Sequence, residues 1–201
     1  MPIDLHRHWN ANTHHHRLVL AEVGPGARTA LDAGTGDGLL ADDLRELVPS
    51  VTAIDRDPGV VERARSRSGA DITWVVGDIL TYPLPENGFD VVASNTVVHH
   101  LPDLGAGLAR LAALTAPGGV LVVIGCARTA SPADLVMDGV GVVAAQVYKL
   151  RYGLWKHSAP VNLDYPHTYT QARRIAAATL PGMRWRRSPM FRYVIAWRKP
   201  A

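Results

Sequence analysis

The first stretch that could do chemistry is LDAGTGDG, residues 31–38, which combines three glycines with two aspartates directly after an apolar run. Glycines lack a Cβ, so a ligand can lie against backbone N–H groups where a helix begins, as anions and nucleotide moieties do. The glycines concerned are Gly34, Gly36 and Gly38. The turn therefore predicts a nucleotide-like ligand and leaves its identity open.

Two common glycine motifs fit this turn poorly. A phosphate-binding loop needs a Gly-Lys pair, and no lysine precedes Lys149. The dinucleotide motif Gly-x-Gly-x-x-Gly needs a glycine where Leu39 stands, so the third glycine comes one residue early. Asp32 places a negative charge near the ligand, which would repel a pyrophosphate and attract an ammonium or a sulfonium. The turn thus excludes a triphosphate, disfavours a dinucleotide and favours S-adenosylmethionine.

Two further acidic residues end later apolar runs. Asp55 closes VTAID, 17 residues after Gly38, where a carboxylate can accept hydrogen bonds from both ribose hydroxyls of either kind of nucleoside. Asp78 lies in GDIL, where its carboxylate and the Ile79 backbone can bind the amine and ring edge of adenine. These residues extend the predicted site from the turn to a whole nucleoside.

The elements that must position these residues follow from hydrophobic periodicity. Short β-branched runs alternate with amphipathic segments, an order that predicts an α/β fold with a parallel sheet. The predicted strands are residues 28–33, 51–55, 72–76, 89–94 and 120–125. The predicted helices between them are residues 38–48, 58–67 and 103–115, and Asp57 followed by proline is a typical helix start.

The end of the chain departs from this alternation. A helix over residues 170–179, with Thr170 as its predicted cap, precedes two strands near 183–187 and 191–198. The strands must run antiparallel, because their connection is too short for a crossover. Phe191, Tyr193, Ile195 and Trp197 are expected to share one face of the last strand.

A long segment, residues 126–167, separates the fifth strand from that last helix. It is too long for a simple connection, and its apolar part predicts a helix near 132–150. We expect this insertion to shape a pocket for a second molecule, the acceptor. The side chains expected to wall it are Tyr152, Trp155, His157 and Tyr165, with Cys126 as either a pocket residue or a small buried side chain.

The N-terminal part predicts a helix near residues 13–23 that carries His14, His15 and His16. Consecutive residues of a helix point in different directions, so these histidines are not expected to share a metal ion. We expect residues 1–26 to form a lid with a polar edge beside the cofactor, within one domain that covers 1–201.

In this order and spacing, the motifs resemble the small, single-domain class I S-adenosylmethionine-dependent methyltransferases that act on small molecules. The resemblance covers nearly all of residues 27–198, through LDAGTGDG, AIDRD, GDIL, FDVVASNTVVHHLPD and PGGVLVVIG. It implies a Rossmann-like doubly wound seven-stranded sheet of order 3-2-1-4-5-7-6, mostly parallel with an antiparallel C-terminal hairpin. It also implies a cofactor over the first strands and an acceptor over the fourth and fifth.

The resemblance implies S-adenosylmethionine as cofactor and a set of residues that bind it, without a metal ion. These residues are Asp32, Gly34, Gly36, Gly38, Asp55, Arg56, Asp78, Ile79 and Asn95. His99 and His100 follow the fourth strand and are expected to face the methyl group. One of them, preferably His100, would act as general base or orient the acceptor, and the alternative is that they hold the loop or pack under the cofactor.

The loop after the fourth strand separates this chain from several subclasses. Its sequence SNTV is not the Asn/Asp-Pro-Pro-aromatic motif of enzymes that methylate bases or glutamine, and it lacks the cysteine of cytosine-5 methylation. It also lacks the aspartate that binds magnesium in catechol-type members. We therefore expect methyl transfer to a small molecule, with oxygen favoured over nitrogen or carbon as the acceptor atom.

Basic residues are concentrated at the end of the chain. Residues 151–201 contain ten Lys and Arg against Asp164 alone, near +9, whereas residues 1–150 hold eleven basic and seventeen acidic residues, near −6. Arginines on the solvent face of an edge hairpin, which prevent unwanted strand pairing, are the favoured interpretation. Nucleic acid is an unlikely partner, but RNA or protein methylation by this basic region stays open as an alternative.

Two other functions stay open: a cofactor-binding protein that transfers no methyl group, and a nicotinamide oxidoreductase. The longest uncharged run of the apolar insertion, residues 139–148, is shorter than the roughly 18 residues that span a bilayer. The N-terminus lacks a signal-peptide pattern, and Cys126 is the only cysteine, so we expect a cytoplasmic protein without a disulfide. The oligomeric state is not predicted.

Overall fold

One seven-stranded sheet organises the chain, and the computed structural model describes residues 8–69, 71–155 and 165–201 of it. The strands are β1 (Thr29–Ala33), β2 (Ser50–Asp55), β3 (Thr73–Val76), β4 (Phe89–Asn95), β5 (Thr115–Gly125), β6 (Arg184–Ser188) and β7 (Arg192–Arg198). The helices are α1 (His16–Leu20), α2 (Leu39–Arg45), α3 (Pro58–Arg67), α4 (Leu104–Leu114), α5 (Pro132–Tyr152) and α6 (Tyr169–Thr179). Two short 3-10 turns, Thr13–His15 and Val98–His100, complete the described elements.

The strand order is β3-β2-β1-β4-β5-β7-β6, which confirms the predicted α/β architecture. Strands β1 to β5 are parallel, and β7 runs antiparallel to both β5 and β6. The first residues of β7 therefore lie at the edge where the parallel strands end, with Tyr193 opposite Gly125. We call this the carboxyl edge of the sheet, and it collects the residues at which functional side chains were predicted.

Both faces of the sheet are buried, so its central strands are apolar throughout. Leu31, Leu121 and Ile195 belong to the core that α4 and α6 cover. Neighbouring residues such as Ala30 and Val122 point to the other face, under α1 and α2, because side chains alternate along a strand. Helix α3 packs beside β2 and β3.

The cap of α6 differs from the prediction. Thr168, rather than Thr170, begins the helix: its hydroxyl accepts a hydrogen bond from Gln171 N at 3.2 Å, and Gln171 Oε1 accepts one from Thr168 N at 2.9 Å. This reciprocal capping box requires the Thr-x-x-Gln spacing, which Thr170 does not have. The cap of α3 is as predicted, since Asp57 Oδ1 accepts from Gly59 N at 2.8 Å and Val60 N at 3.1 Å.

The hairpin between β6 and β7 turns later than predicted. Met190 and Phe191 both have left-handed backbones, with φ of 61° and 64°, so Phe191 belongs to the turn. Its predicted place on the buried face of β7 is therefore wrong: Phe191 is exposed, whereas Met190 is buried. Tyr193, Ile195 and Trp197 do share one buried face, as predicted.

Helix α5 spans 21 residues and is held at the carboxyl edge by a few contacts. Gly141 is its one buried residue, and a Cβ at that position would lie 2.7 Å from the backbone N of Met190. Arg187 of β6 pairs with Asp134 at 2.7 Å and with Asp138 at 3.2 Å. Across the described ranges, no helix has the length and apolar content that crossing a bilayer requires.

Candidate active site

The glycine turn closes onto the end of β2. Gly34, Gly36 and Gly38 all adopt left-handed backbones, with φ of 77°, 54° and 75°. Gly34 N donates to Ile54 O at 2.8 Å, and Gly36 N donates to Asp55 Oδ2 at 3.0 Å. The predicted turn and the predicted acidic strand end therefore form one hydrogen-bonded unit.

The three glycines have different roles. A Cβ on Gly34 would lie 2.3 Å from the side chain of Val97, and one on Gly38 would lie 2.6 Å from Trp74, so these two glycines permit close packing. A Cβ on Gly36 would meet nothing within 4 Å. Gly36 thus borders open space at the carboxyl edge, which fits a bound nucleoside lying against the turn.

Two carboxylates stand at the ends of neighbouring strands beside this space. Each oxygen of Asp55 accepts one backbone hydrogen bond, from Gly36 N and from Asp57 N at 3.1 Å, and retains a lone pair for a ribose hydroxyl. Asp78 is exposed after β3, and its Oδ1 accepts from Leu80 N at 2.8 Å. Ile79 beside it is buried, so the strand ends offer both polar and apolar contacts to a nucleoside.

Asp32 lies beneath the turn and is only 1% exposed. Burial raises the pKa of its carboxyl to about 6, although the Thr35 hydroxyl, which donates to Asp32 Oδ2 at 2.7 Å, opposes that rise. The carboxyl is therefore mostly ionised at neutral pH. The ionised carboxylate therefore places a negative charge under the glycine turn, as expected from the sequence for a positively charged ligand.

The loop after β4 is bent back towards the glycine turn, where Val97 packs against Gly34. Thr96 has a left-handed backbone, with φ of 65°, and its N–H donates to Ile124 O at 2.7 Å. Such a conformation is costly for a residue with a side chain and is common where a site must be shaped. Asn95 Nδ2 donates to Asn12 O at 3.2 Å, so the N-terminal segment contacts this loop.

His99 and His100 lie on this loop in different surroundings. His100 is the more exposed of the two, and the partial loss of water around its ring, together with the charge of Arg56, lowers its pKa. Burial lowers the pKa of His99 to about 3, and its Nδ1 is buried without a hydrogen-bond partner among the described residues. The His99 ring lies 5.3 Å from that of Tyr165 and 4.1 Å from that of His100. His99 is therefore neutral and polar inside an aromatic setting.

Arg192 and Asn12 belong to this site but were not singled out from the sequence. Arg192 Nη2 donates to Asn12 Oδ1 at 2.7 Å, and Nη1 donates to Met190 O at 3.2 Å. The guanidinium influences the pKa of His99 and of Cys126, although burial has the larger effect on both groups. One signal was available: Arg192 is two residues before Val194 and so shares its buried face.

The pocket walls predicted from the insertion divide into two groups. Tyr165 lies beside His99, and burial raises the pKa of its hydroxyl to about 12. Trp155 contacts the N-terminal segment instead, because its N–H donates to Trp9 O at 2.9 Å. Tyr152 reaches that segment through Tyr148, whose ring stacks on those of both Tyr152 and Trp9. His157 lies outside the described residues.

The three consecutive histidines diverge, as predicted. The His14 ring contacts that of Tyr148 in α5. The His15 ring forms hydrogen bonds with Ala11 O at 2.6 Å and Ser188 Oγ at 3.0 Å. His16 pairs with Asp43 of α2 at 2.6 Å. All three are buried, so they anchor the N-terminal segment to α2, α5 and β6. In the part of the chain that the structure describes, no group of His, Cys, Asp or Glu has a metal-binding arrangement.

The C-terminal arginines do not all decorate a solvent face. Arg186 and Arg198 are exposed, and Arg184 pairs with Glu22 at 2.6 Å near the surface. Arg187 instead points inward, with its guanidinium 3.2 Å from the centre of the Tyr169 ring, and Arg192 reaches the site. The favoured interpretation of the basic segment is thus correct for only part of the hairpin.

Comparisons with known proteins agree with this geometry. The model of the methyltransferase domain family matches residues 31–123. An uncharacterized methyltransferase of Mycobacterium tuberculosis is 40% identical over 193 residues, which is 96% of this chain and 98% of the relative. A malonyl-[acyl-carrier protein] O-methyltransferase of Serratia marcescens is 42% identical over 105 residues, 52% of this chain and 40% of that protein.

Solved structures show the same fold. A SAM-dependent methyltransferase from Aquifex aeolicus superposes with a TM-score of 0.64 at 18% identity, covering 98% of this chain and 93% of that one. The sheet order, the open glycine turn with its two acidic strand ends, and the full-length relative all agree. The chain therefore belongs to the class I S-adenosylmethionine-dependent methyltransferases, and S-adenosylmethionine is its methyl donor.

Proposed function

We propose that this methyltransferase transfers the methyl group to an oxygen of a small-molecule acceptor. The observation that supports this most is the position of His99: a partly buried, neutral imidazole whose Nδ1 is buried without a hydrogen-bond partner among the described residues, on a loop that packs against the glycine turn. When bound, S-adenosylmethionine supplies an electrophilic methyl group on a sulfonium. The acceptor oxygen forms the new C–O bond, and the electrons of the broken C–S bond remain on sulfur.

On the donor side, the proposal assigns the nucleoside to the open space beside Gly36. Asp55 would bind the ribose hydroxyls, and Asp78 with the Ile79 backbone would bind adenine. The buried charge of Asp32 would stabilise the cationic end of the cofactor through the turn. Asn95, at the end of β4, and Arg56, directly after β2, would complete the donor side.

On the acceptor side, the proposal gives His99 an orienting role. An imidazole whose pKa is about 3 holds an accepted proton poorly at neutral pH, so it is a weak general base. Its Nδ1 can still hydrogen-bond the acceptor and place it in line with the methyl group, where orientation supplies much of the rate. His100 lies nearer to solvent and completes the same turn of the loop.

Two further points support an oxygen acceptor of small size. The Serratia marcescens relative is named as an O-methyltransferase. The N-terminal segment over residues 8–20 and the described parts of the insertion, residues 126–155 and 165–167, both border the site, and we propose that they enclose the acceptor as lid and pocket wall. An enclosed site excludes water, which methyl transfer requires.

The test combines binding with product analysis. Calorimetry should show tight binding of S-adenosylhomocysteine and none of NAD. With a labelled methyl donor, a panel of matched oxygen, nitrogen and carbon acceptors should yield labelled methyl esters or ethers by mass spectrometry. N-methyl products as the main outcome would contradict the oxygen assignment.

The role of His99 is tested with a matched pair of variants. We expect His99→Gln to lower kcat about 10-fold or more with cofactor affinity unchanged, because one orienting hydrogen bond is lost. His100→Gln, on the exposed side of the same loop, should have a smaller effect. Equal kcat in wild type and both variants would remove the histidines from the mechanism.

A further inference from the structure

Arg192 is the one inward arginine of the hairpin that has no carboxylate partner in the described ranges. Its Nε is buried and, among those residues, has no hydrogen-bond partner. The Nε of Arg187, five residues earlier, is likewise buried without a partner in the described ranges, but the two Nη atoms of Arg187 pair with Asp134 and Asp138, whereas those of Arg192 meet the neutral oxygens of Met190 and Asn12. A buried guanidinium donor without an acceptor is costly, and native proteins usually pair such groups or use them to bind a ligand.

The backbone that carries Arg192 is itself strained. Met190 and Phe191 occupy left-handed conformations that non-glycine residues adopt at a cost. Hairpin turns of this kind usually contain Asn or Gly. The turn starts β7 at the carboxyl edge and brings the Arg192 guanidinium to Asn12, and its charge influences the pKa of the His99, Cys126 and Tyr165 side chains.

We propose that Arg192 binds a carboxylate of the acceptor and that a carboxylate oxygen receives the methyl group. This rests on the proposed function. A guanidinium edge matches a carboxylate and would hold one oxygen through Nε–H while the other faces the methyl group. That oxygen attacks the methyl carbon, the C–S bond breaks, and a methyl ester and S-adenosylhomocysteine result.

No proton leaves the acceptor in this reaction, because a carboxylate is already ionised. The step therefore needs no general base, in agreement with the neutral His99, which can donate or accept one orienting hydrogen bond. A single cation for recognition and a neutral polar side chain for orientation suit an organic acid. They suit an alcohol less well, since its hydroxyl would have to lose a proton.

The test follows the Nε–Hε signal of Arg192 by NMR in protein saturated with S-adenosylhomocysteine. The signal is assigned by its loss in Arg192→Gln. Acetate should shift it in a saturable way, and acetamide, which has the same shape without the charge, should not. An equal response to the two probes, or none to acetate, would overturn the proposal.

Two controls separate this proposal from the proposed function. S-adenosylhomocysteine should bind wild type, Arg192→Gln and Arg192→Lys equally, which also shows that the variants fold; failure of wild type to bind it would refute the proposed function instead. Arg192→Gln should weaken acetate binding roughly 10-fold or more. Arg192→Lys should retain part of that affinity because it keeps the charge.

A second observation concerns the outer face of α5. Of the twelve large hydrophobic side chains exposed in the described residues, eight lie between positions 135 and 154. Six of these eight follow alternating spacings of four and three residues: Val136, Val140, Val143, Val147, Leu150 and Leu154. They are between 51% and 87% exposed. This spacing is the seam of a coiled coil, with β-branched residues at most positions.

The seam lies opposite the face that holds α5 to the domain. Asp134, Asp138, Gly141 and Tyr148 make the inward contacts, and Val136, Val140, Val143 and Leu150 each follow one of these positions by two residues, or roughly 200° around the helix. The seam is therefore turned away from the domain core. Within the helix, from Val136 to Leu150, it runs about 21 Å at 1.5 Å per residue.

We infer that a second copy of this chain covers the seam, α5 against α5 across a twofold axis. A self-complementary apolar strip suits an isologous interface. Five of the six flanking positions, Met137, Gly139, Ala144, Gln146 and Gly153, carry no charge, and Arg151 is the exception. The exposed side chains offer on the order of 600 Å² per copy, so a symmetric pair would bury about 1,200 Å², the lower range of stable interfaces.

Sedimentation velocity with two neighbouring valine variants tests this inference. Wild type should sediment as a dimer, Val143→Glu on the seam as a monomer, and Val142→Glu, which is also exposed but off the seam, as a dimer. A monomeric wild type at 100 μM or equal behaviour of the two variants would overturn it. So would binding of monomers to phosphatidylcholine–phosphatidylglycerol vesicles, since a lipid surface would then be the occupant.

Discussion

The site has two sides: the glycine turn, which we propose binds the methyl donor (the donor half), and the side formed by Asn12, His99, Arg192 and helix α5, which we propose binds the acceptor (the acceptor half). The two halves are held together over very different distances along the chain. At the glycine turn, Thr35 bonds to Asp32 three residues away, and Gly36 bonds to Asp55 over 19 residues. Around the acceptor, Arg192 bonds to Asn12 over 180 residues and His15 to Ser188 over 173. The donor site is thus a local product of one β-α-β unit, whereas the acceptor site requires nearly the whole chain.

This difference allows the two halves to change independently of each other. A locally encoded donor site survives changes elsewhere, because its hydrogen bonds lie within two strands and a turn. The acceptor site depends on an N-terminal segment, an insertion and a hairpin that touch only after folding, so each can vary independently. Mutations in the two halves should therefore have separable effects on stability, cofactor affinity and turnover.

The largest expected effect concerns the acceptor half. Arg187→Met would leave Asp134 and Asp138 without their partner, and both carboxylates are mostly buried. We expect a loss of about 3 kcal/mol in the free energy of unfolding, measured by urea denaturation. Arg184→Met is the control, because the ion pair of Arg184 with Glu22 lies near the surface. This substitution should lower the free energy of unfolding by less than about 1 kcal/mol. Equal losses for the two variants would show that the inward ion pairs of Arg187 stabilise the protein no more than the surface pair of Arg184 does.

The next effect concerns the donor half. Asp55→Ala removes the acceptor of Gly36 N and the proposed ribose ligand, so S-adenosylhomocysteine affinity should fall about 100-fold by calorimetry, given 1.5–3 kcal/mol per charged hydrogen bond. Asp90→Ala is the matched control at the opposite edge of the sheet, where Asp90 accepts from Arg28 N and Thr29 N. It should reduce stability and leave affinity unchanged. A similar affinity loss in both variants would refute the assignment of Asp55.

Two glycines of α5 sharpen the comparison within the acceptor half. A Cβ on Gly141 would lie 2.7 Å from Met190 N, so Gly141→Ala should push α5 away from the hairpin and cost about 2 kcal/mol. A Cβ on Gly139 would meet nothing within 4 Å, so Gly139→Ala should stabilise the helix by up to about 1 kcal/mol. Thermal unfolding of both variants measures the difference. The same sign for both would contradict the close packing of α5.

The smallest effect is a pH dependence of the donor half. The pKa of Asp32 is raised to about 6, so folding favours the protonated carboxyl. The free energy of unfolding of the apo protein should therefore fall as pH rises from about 4 to 6. Protonation below pH 6 removes the charge that attracts a cationic ligand. S-adenosylmethionine affinity should therefore fall by up to about tenfold per pH unit below 6.

Asp32→Asn supplies the comparison for this pH profile. The amide keeps a partner for Thr35 but carries no charge, so affinity for S-adenosylmethionine should be weaker at pH 7 and nearly independent of pH between 5 and 7. The apo variant should also unfold at a higher temperature at pH 7, because no buried charge remains. A pH profile that matches wild type would assign the titration to another group.

What the sequence could predict follows the same division. The strand order, the antiparallel hairpin and the Asp57 cap all rest on local spacing or on the family resemblance, and the structure confirms them. Thr168 was missed although its Thr-x-x-Gln signal is local. The four-three spacing of apolar residues in α5 was likewise visible, but it was interpreted only as an apolar helix.

The acceptor residues could not be found in this way. Asn12 and Arg192 meet only because β7 inserts between β5 and β6, and no pattern near either residue indicates the other. The separation of His99 from His100 into buried and exposed surroundings also depends on Tyr165 and Arg192, which come from distant segments. Spacing predicts where a strand ends, but not what a remote segment brings to it.

Asn12 also sets the order in which the site can be assembled. Its carbonyl accepts from Asn95 and its side chain from Arg192, so a residue made near the start of synthesis waits for one made near the end. Strands β1 to β3 and the glycine turn can form while the ribosome is still adding residues. The side of the site that holds Asn12 is therefore complete only once the final strand has entered the sheet.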